Sequence, residues 1–118
     1  MRLPFLFAAA VLLLSSFGAV AAEPTLLAET GAFLLGNAHR CGVASERVVR
    51  AGKIIRDMIA SAAHDASEAQ LADQRFMNVF ISSAHPVSNM SAVAPPCIPV
   101  VKQFERLERY HQQAGYTD

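Results

Sequence analysis

The chain has 118 residues, with 10 basic and 10 acidic side chains, 4 histidines, 2 cysteines and no tryptophan. That length suits one domain with a modest core and argues against a multidomain enzyme. The balanced charge leaves no global field to draw the molecule to nucleic acid, so any charge-driven contact must be local.

The first 22 residues, MRLPFLFAAAVLLLSSFGAVAA, divide into a basic start at Arg2, an apolar stretch from Phe5 to Leu14 and a small-residue end. This is the plan of a secretory signal. An apolar core of about 10 residues is well short of the ~20 that cross a bilayer as a helix, so a cleavable signal is favoured over an anchor. Ala19-Val20-Ala21 and Val20-Ala21-Ala22 are overlapping cleavage sites, and no cysteine stands at the junction for lipid attachment. Residues 1–22 are therefore expected to be removed and residues 23–118 to form a single helical domain in the periplasm or outside the cell. Removing Arg2 leaves 9 basic against 10 acidic side chains.

Four segments carry a helical period and none alternates like a strand, so the expected fold is all-α, a small four-helix bundle of antiparallel neighbours closed by one disulfide. The first helix follows Pro24 and runs from about Thr25 to Cys41, with Leu27, Leu34, Ala38 and Cys41 on its inward stripe and Leu26 and Phe33 on the flank. Gly31 and Gly36 each lower its propensity by roughly 1 kcal/mol relative to alanine, so this helix depends on packing. Gly42 is a natural stop. The second helix starts after Ser45 as N-cap and runs to about Ala63, its core stripe formed by Val48, Ile55, Met58, Ile59 and Ala62. Arg47, Arg50, Lys53 and Arg56 recur every three residues and spiral around its solvent side. They form a possible surface for an acidic protein partner, against the simpler reading of a solvated face.

A break at His64-Asp65-Ala66 precedes the third helix, announced by Ser67 and Gln70 at capping-box spacing. It continues to about Ser83, with Ala72, Phe76, Val79 and Phe80 inward. Met77 and Ile81 project to another side, where burial is favoured in so small a domain over an exposed partner strip. Residues 84–96 have no helical period and read as a loop or a strap tied down at Cys97. Asn89-Met90-Ser91 within them matches a glycosylation sequon, relevant only in a host that uses it. The last helix begins near Ile98, with Pro99 in its first turn, and ends near Ala114. Val100, Phe104, Leu107 and His111 share its inner face, while Glu105 precedes Arg109 by four residues, the spacing of a favourable surface pair.

Two cysteines in an exported domain normally form a disulfide. Joining Cys41 to Cys97 closes a loop of about 57 residues, for which chain entropy gives roughly 4 kcal/mol. A thiol–disulfide catalyst usually carries Cys-x-x-Cys, which is absent. A zinc site built on Cys41, Cys97 and His39 lacks the second closely spaced ligand pair of structural zinc motifs. No catalytic motif is present, no catalytic or metal-binding residue is assigned, and no cofactor is expected. Glu105 and Glu108 do not make a tuned acid–base pair. His111 reads as a core histidine and His64 as a helix-end cation. His39 and His85 approach the bridge from its two ends, which leaves a pH-sensing or metal role open.

In plan, with its exported helical domain of this size and two distant cysteines, the chain resembles the periplasmic acid-stress chaperones. That resemblance implies partial unfolding in strong acid and exposure of apolar surface that holds denatured clients. Full protonation would take the mature chain to about +13 before termini. The segment HRCGVASERVVRAGKIIRDMI is similar to an exported bacterial family that brings no function with it. The expectation is a non-enzymatic periplasmic or secreted protein that binds another protein or supports an envelope assembly, without stable membrane insertion after cleavage. An acid-activated holdase is the alternative, and a small enzyme or metal protein without a familiar motif the third.

Overall fold

The computed structural model describes residues 23–86 and 94–113, the last three by their backbone alone. They form four helices, α1 (Pro24–Arg40), α2 (Ser45–Ala62), α3 (Ala66–Ala84) and α4 (Cys97–Gln113), with no strand among the described residues. The molecule is the expected all-α four-helix bundle. Residues 1–22 and 87–93 lie outside the described residues, and with them the signal segment and most of the 84–96 loop.

Carboxylates, not serines, cap two of the helices. The Glu23 side chain accepts the N–H groups of Thr25 and Leu26 at 3.2 and 2.9 Å, with Pro24 in the first turn, where its missing N–H costs nothing. Asp65 accepts the Glu68 N–H at 2.8 Å, and Glu68 reaches back to the His64 N–H at 2.8 Å. The third helix therefore starts at Ala66, one residue ahead of Ser67, and is capped by Asp65, with Glu68 holding the N–H of the preceding His64, in place of the expected Ser67–Gln70 capping box. An acidic oxygen meets both the unpaired N–H groups and the positive end of the helix dipole, which a neutral hydroxyl does less well. Ser45 is the first helical residue of α2 and not its cap; Ala44 precedes it without a side-chain cap. The end of α1 follows the sequence closely. Gly42 adopts φ 94°, its N–H bonds to His39 O, and the Val43 N–H bonds to Ala38 O. This is a Schellman ending, and Val43 and Ala38 both belong to the core.

The inward face of α1 differs from the expected leucine stripe. Ala28, Gly31, Ala32, Leu35 and Ala38 are buried, while Leu27, Leu34 and Cys41 are only half-buried. The reason is close approach. A Cβ at Gly36 would lie 2.6 Å from Ser83 Cβ and 2.8 Å from Phe80 O, and one at Gly31 would lie 2.7 Å from Ile55 Cγ2. The two glycines that weaken the isolated helix are where α3 and α2 press against it. The other helices present their expected faces, with Val48, Ile55 and Ile59 from α2, Ala72 and Phe76 from α3, and Val100 and Phe104 from α4. Met77 and Ile81 are not covered; they are 49% and 53% exposed. The opposite face of α3 already packs inward, and no described element lies over them.

Pairwise contacts give the course of the chain. Glu29 early in α1 meets Arg75 mid-way along α3, and Gly36 late in α1 meets the end of α3, so these two helices run in the same direction. Gly31 meets Ile55 and Leu35 faces Gly52, so α2 runs back between them. The most extensive packing is thus between α1 and α3, a parallel pair, rather than between antiparallel neighbours. Small residues at the seam permit this diagonal contact. α1 also packs on α2 and α4, whereas α3 and α4 do not meet among the described residues.

Candidate functional site

Among the described residues α3 and α4 stand apart, so the edge between them is open and α1 forms its floor. The resulting groove has a volume of about 540 Å³. Leu26, Phe33 and Leu34 come from α1, Val79 from α3, and Pro99 and Val100 from α4. The lining is mostly apolar, with Thr30, Asn37 and Gln103 among its polar members. Phe33 is 50% exposed in the most deeply packed helix of the bundle. On the α4 side, Arg106 continues the Pro99–Gln103 row by helical spacing. Lys102 and Arg106 are exposed and have no ion-pair partner among the described residues.

The start of α4 is moored to the end of α1. Cys41 and Cys97 form the disulfide, with their Cα atoms 5.5 Å apart. Arg40 lies beside it. Its Nη2 donates to Pro95 O at 2.6 Å, its Nε to Asn37 Oδ1 at 2.9 Å, and its Nη1 to Cys97 Sγ at 3.8 Å. Asn37 is 2% exposed and donates its Nδ2 to Phe33 O at 2.8 Å. A buried amide satisfied on both sides makes a rigid mount for the guanidinium. The segment that enters α4 is thus held at Pro95, while the course of residues 87–93, on which the loop and strap readings differ, lies outside the described residues.

The middle of α4 is moored to α2. Arg47 Nε and Nη2 donate to Glu108 Oε2 and Oε1 at 3.1 and 2.6 Å, a two-pronged bond, and its guanidinium carbon stands 5.4 Å from the Phe104 ring centre. The hydrogen bond to Glu108, aided by the charges of Glu108 and Glu105, raises the Arg47 pKa above its ordinary value.

The four cations singled out on α2 differ in their neighbours. Arg47 is engaged by Glu108, and Arg56 stands 3.7 Å from Asp73. Arg50 and Lys53 are exposed and without an ion-pair partner among the described residues. Sequence spacing sees one helix at a time, so it could not show that neighbouring helices supply these carboxylates. The expected Glu105–Arg109 pair is not formed. His64 pairs with Glu68 at 3.0 Å, at the start of α3. His39 and His85 come together with ring centres 6.0 Å apart, and His39 also faces Phe80 at 6.3 Å. No group of three or more His, Cys, Asp or Glu residues converges among the described residues. The His111 side chain lies outside what is described. Phe33 and Leu26, the floor of the groove, carried one sequence signal: apolar residues beside the main stripe of a helix already buried on that stripe.

Among the described residues no helix is long and apolar enough to cross a membrane. Comparison of the chain with protein-family models, curated proteins and solved structures found no match.

Proposed function

We propose that the chain is an exported, non-enzymatic protein that binds another protein, and that the partner lays an amphipathic helix into the groove between α3 and α4. The observation that carries this reading is the open edge over α1 with Phe33 half exposed in its floor. A helix in that groove would cover Leu26, Phe33 and Val79 as a neighbouring helix covers a bundle face. Lys102 and Arg106, without an ion-pair partner among the described residues, favour acidic residues on its flank, because charge complementarity sets orientation and encounter rate. Export is supported by the N-terminal signal pattern and by the disulfide, which belongs in an oxidising compartment such as the periplasm or the exterior.

Photo-crosslinking tests the reading. A crosslinking residue at position 33 in the producing cell should give one discrete adduct, lost on Lys102→Glu with Arg106→Glu. The same probe at exposed Leu71, on α3, should not form it. Equal labelling at both positions, or an adduct indifferent to the charge reversal, rejects the groove as the binding site.

An acid-activated holdase is the second reading, favoured by the apolar side chains that α2 and α3 leave uncovered. Val49, Leu71, Met77 and Ile81 are 70, 63, 49 and 53% exposed. Dye binding and client protection followed from neutral pH to pH 2 decide it. A chain that stays compact and protects no client throughout rejects it.

A further inference from the structure

The two sulfurs of the bridge are not equivalent. Cys97 is exposed and is the first residue of α4, whereas Cys41 is half-buried at the end of α1. Arg40 Nη1 donates to Cys97 Sγ at 3.8 Å, and its other nitrogens are held by Asn37 Oδ1 and Pro95 O. No side chain among the described residues donates to Cys41 Sγ. A fixed cation adds little to a neutral disulfide, but it stabilises the thiolate that appears when the bridge opens. Any preference between the two sulfurs therefore comes from this charge and not from access, since Cys97 is the more exposed residue.

We propose that the Cys41–Cys97 bridge is a thiol–disulfide exchange site of fixed polarity, in which an incoming thiolate bonds to Cys41 Sγ and Cys97 departs as a thiolate paired with Arg40. The thiolate's electron pair forms the new S–S bond, and the old bonding pair leaves on Cys97 Sγ. With a monothiol of the glutathione class the product is a mixed disulfide on Cys41. Return attack by Cys97 restores the bridge and expels the monothiol. With a dithiol reductant, the reductant's second thiolate attacks its own sulfur in the mixed disulfide. Cys41 then leaves as a thiolate and takes a proton from solvent, and the dithiol is oxidised by two electrons. The covalent tie between α1 and the start of α4 is lost, while Arg40 still holds Pro95 and Cys97, and Arg47 and Glu108 hold the middle of α4. The inference does not depend on what occupies the groove.

Oxidised protein treated with glutathione, quenched with iodoacetamide and mapped by peptide mass spectrometry should carry glutathione on Cys41 and the alkyl group on Cys97. The reverse pattern, or an even mixture, overturns the proposal. Leaving-group ability follows thiol acidity, so Arg40→Gln should slow opening by dithiothreitol about threefold and Arg40→Lys should restore part of the rate. Loosening of the strap in Arg40→Gln could mask that change, so thiol acidity gives a second readout. In folded Cys41→Ser protein, Cys97 should alkylate at lower pH than an ordinary thiol, whose pKa is about 8.5, and adding Arg40→Gln should move the profile upward. A Cys97 that titrates as an ordinary thiol, or a profile indifferent to Arg40, overturns the proposal. Should Cys41→Ser not fold, the position of the glutathione adduct in the unsubstituted protein decides.

Discussion

Gly36 has no room for a side chain, because the atoms a methyl group would meet include the Phe80 carbonyl and the Ala84 nitrogen. Backbone cannot yield as a side chain does. Gly36→Ala should therefore destabilise the fold by about 1–2 kcal/mol, an overpacking cost of roughly 1–3 kcal/mol reduced by alanine's helix propensity. At Gly31 the obstacle is the Ile55 side chain, which can shift, so Gly31→Ala should cost less. Urea unfolding of the two variants measures the order, and the opposite order would place the tighter seam between α1 and α2. A second residue-scale effect depends on pH. The hydrogen bond to Glu68 raises the His64 pKa above 6.5, and the His64 N–H, followed by its ring, lowers that of Glu68 below 4.5. The histidine's contribution is complete below pH 6.5 and is lost as pH rises through its raised value. The glutamate's is complete above pH 4.5 and is lost as pH falls through its lowered value. The pair supports the start of α3 fully between those limits. Melting profiles of His64→Ala should lose the decline at the alkaline edge and keep a weakened one at the acid edge, where the backbone N–H still holds Glu68.

The helices themselves were largely legible, because each has its own period and its own stop. Val48, Ile55 and Ile59 of α2, Ala72 and Phe76 of α3, and Phe104 of α4 are buried as the pattern predicts. What was not legible depends on neighbours. The leucine stripe of α1 is half-buried because Ala28, Gly31 and Ala32 allow other helices nearer than leucine would, and a hydrophobicity pattern weights leucine above alanine and glycine. Arg47 reads as a solvated cation until Glu108, 61 residues away, is seen to grip it. The groove is still harder to read, since it exists where two helices fail to meet, and Phe33 marks it only faintly. Met77 and Ile81 show the same limit, because their stretch of α3 is apolar enough for either fate. Their exposure sets a prediction at this scale. Met77→Lys and Ile81→Lys should each change stability by no more than about 0.5 kcal/mol, whereas Phe76→Ala should cost roughly 3–5 kcal/mol. Thermal melts distinguish the two classes, and a large loss at Met77 would mean that something covers that face.

Across the whole molecule, α4 is the least supported helix. It packs on α1 and slightly on α2, has no contact with α3 among the described residues, and is held by its buried Val100 and Phe104 together with the bridge, the Arg40–Pro95 bond and the Arg47–Glu108 pair. Replacing Cys41 and Cys97 by alanine should remove about 4 kcal/mol by the loop-entropy argument, a large share of the ~5–10 kcal/mol that a domain of this size commands. Hydrogen exchange on the doubly substituted or reduced protein should show α4 losing protection before α1 and α3. Uniform loss across all four helices would show instead that the bundle opens as one unit.

The helix against which the other three rest is also the earliest of them to be synthesised. A growing chain delivers that hub before anything can cover it, and its sulfur at position 41 must wait while 55 further residues emerge ahead of its mate at 97. Throughout that interval the hub's small-residue flank and its solitary thiol are open to other nascent copies, so correct assembly is a race between completing the chain and meeting a neighbour.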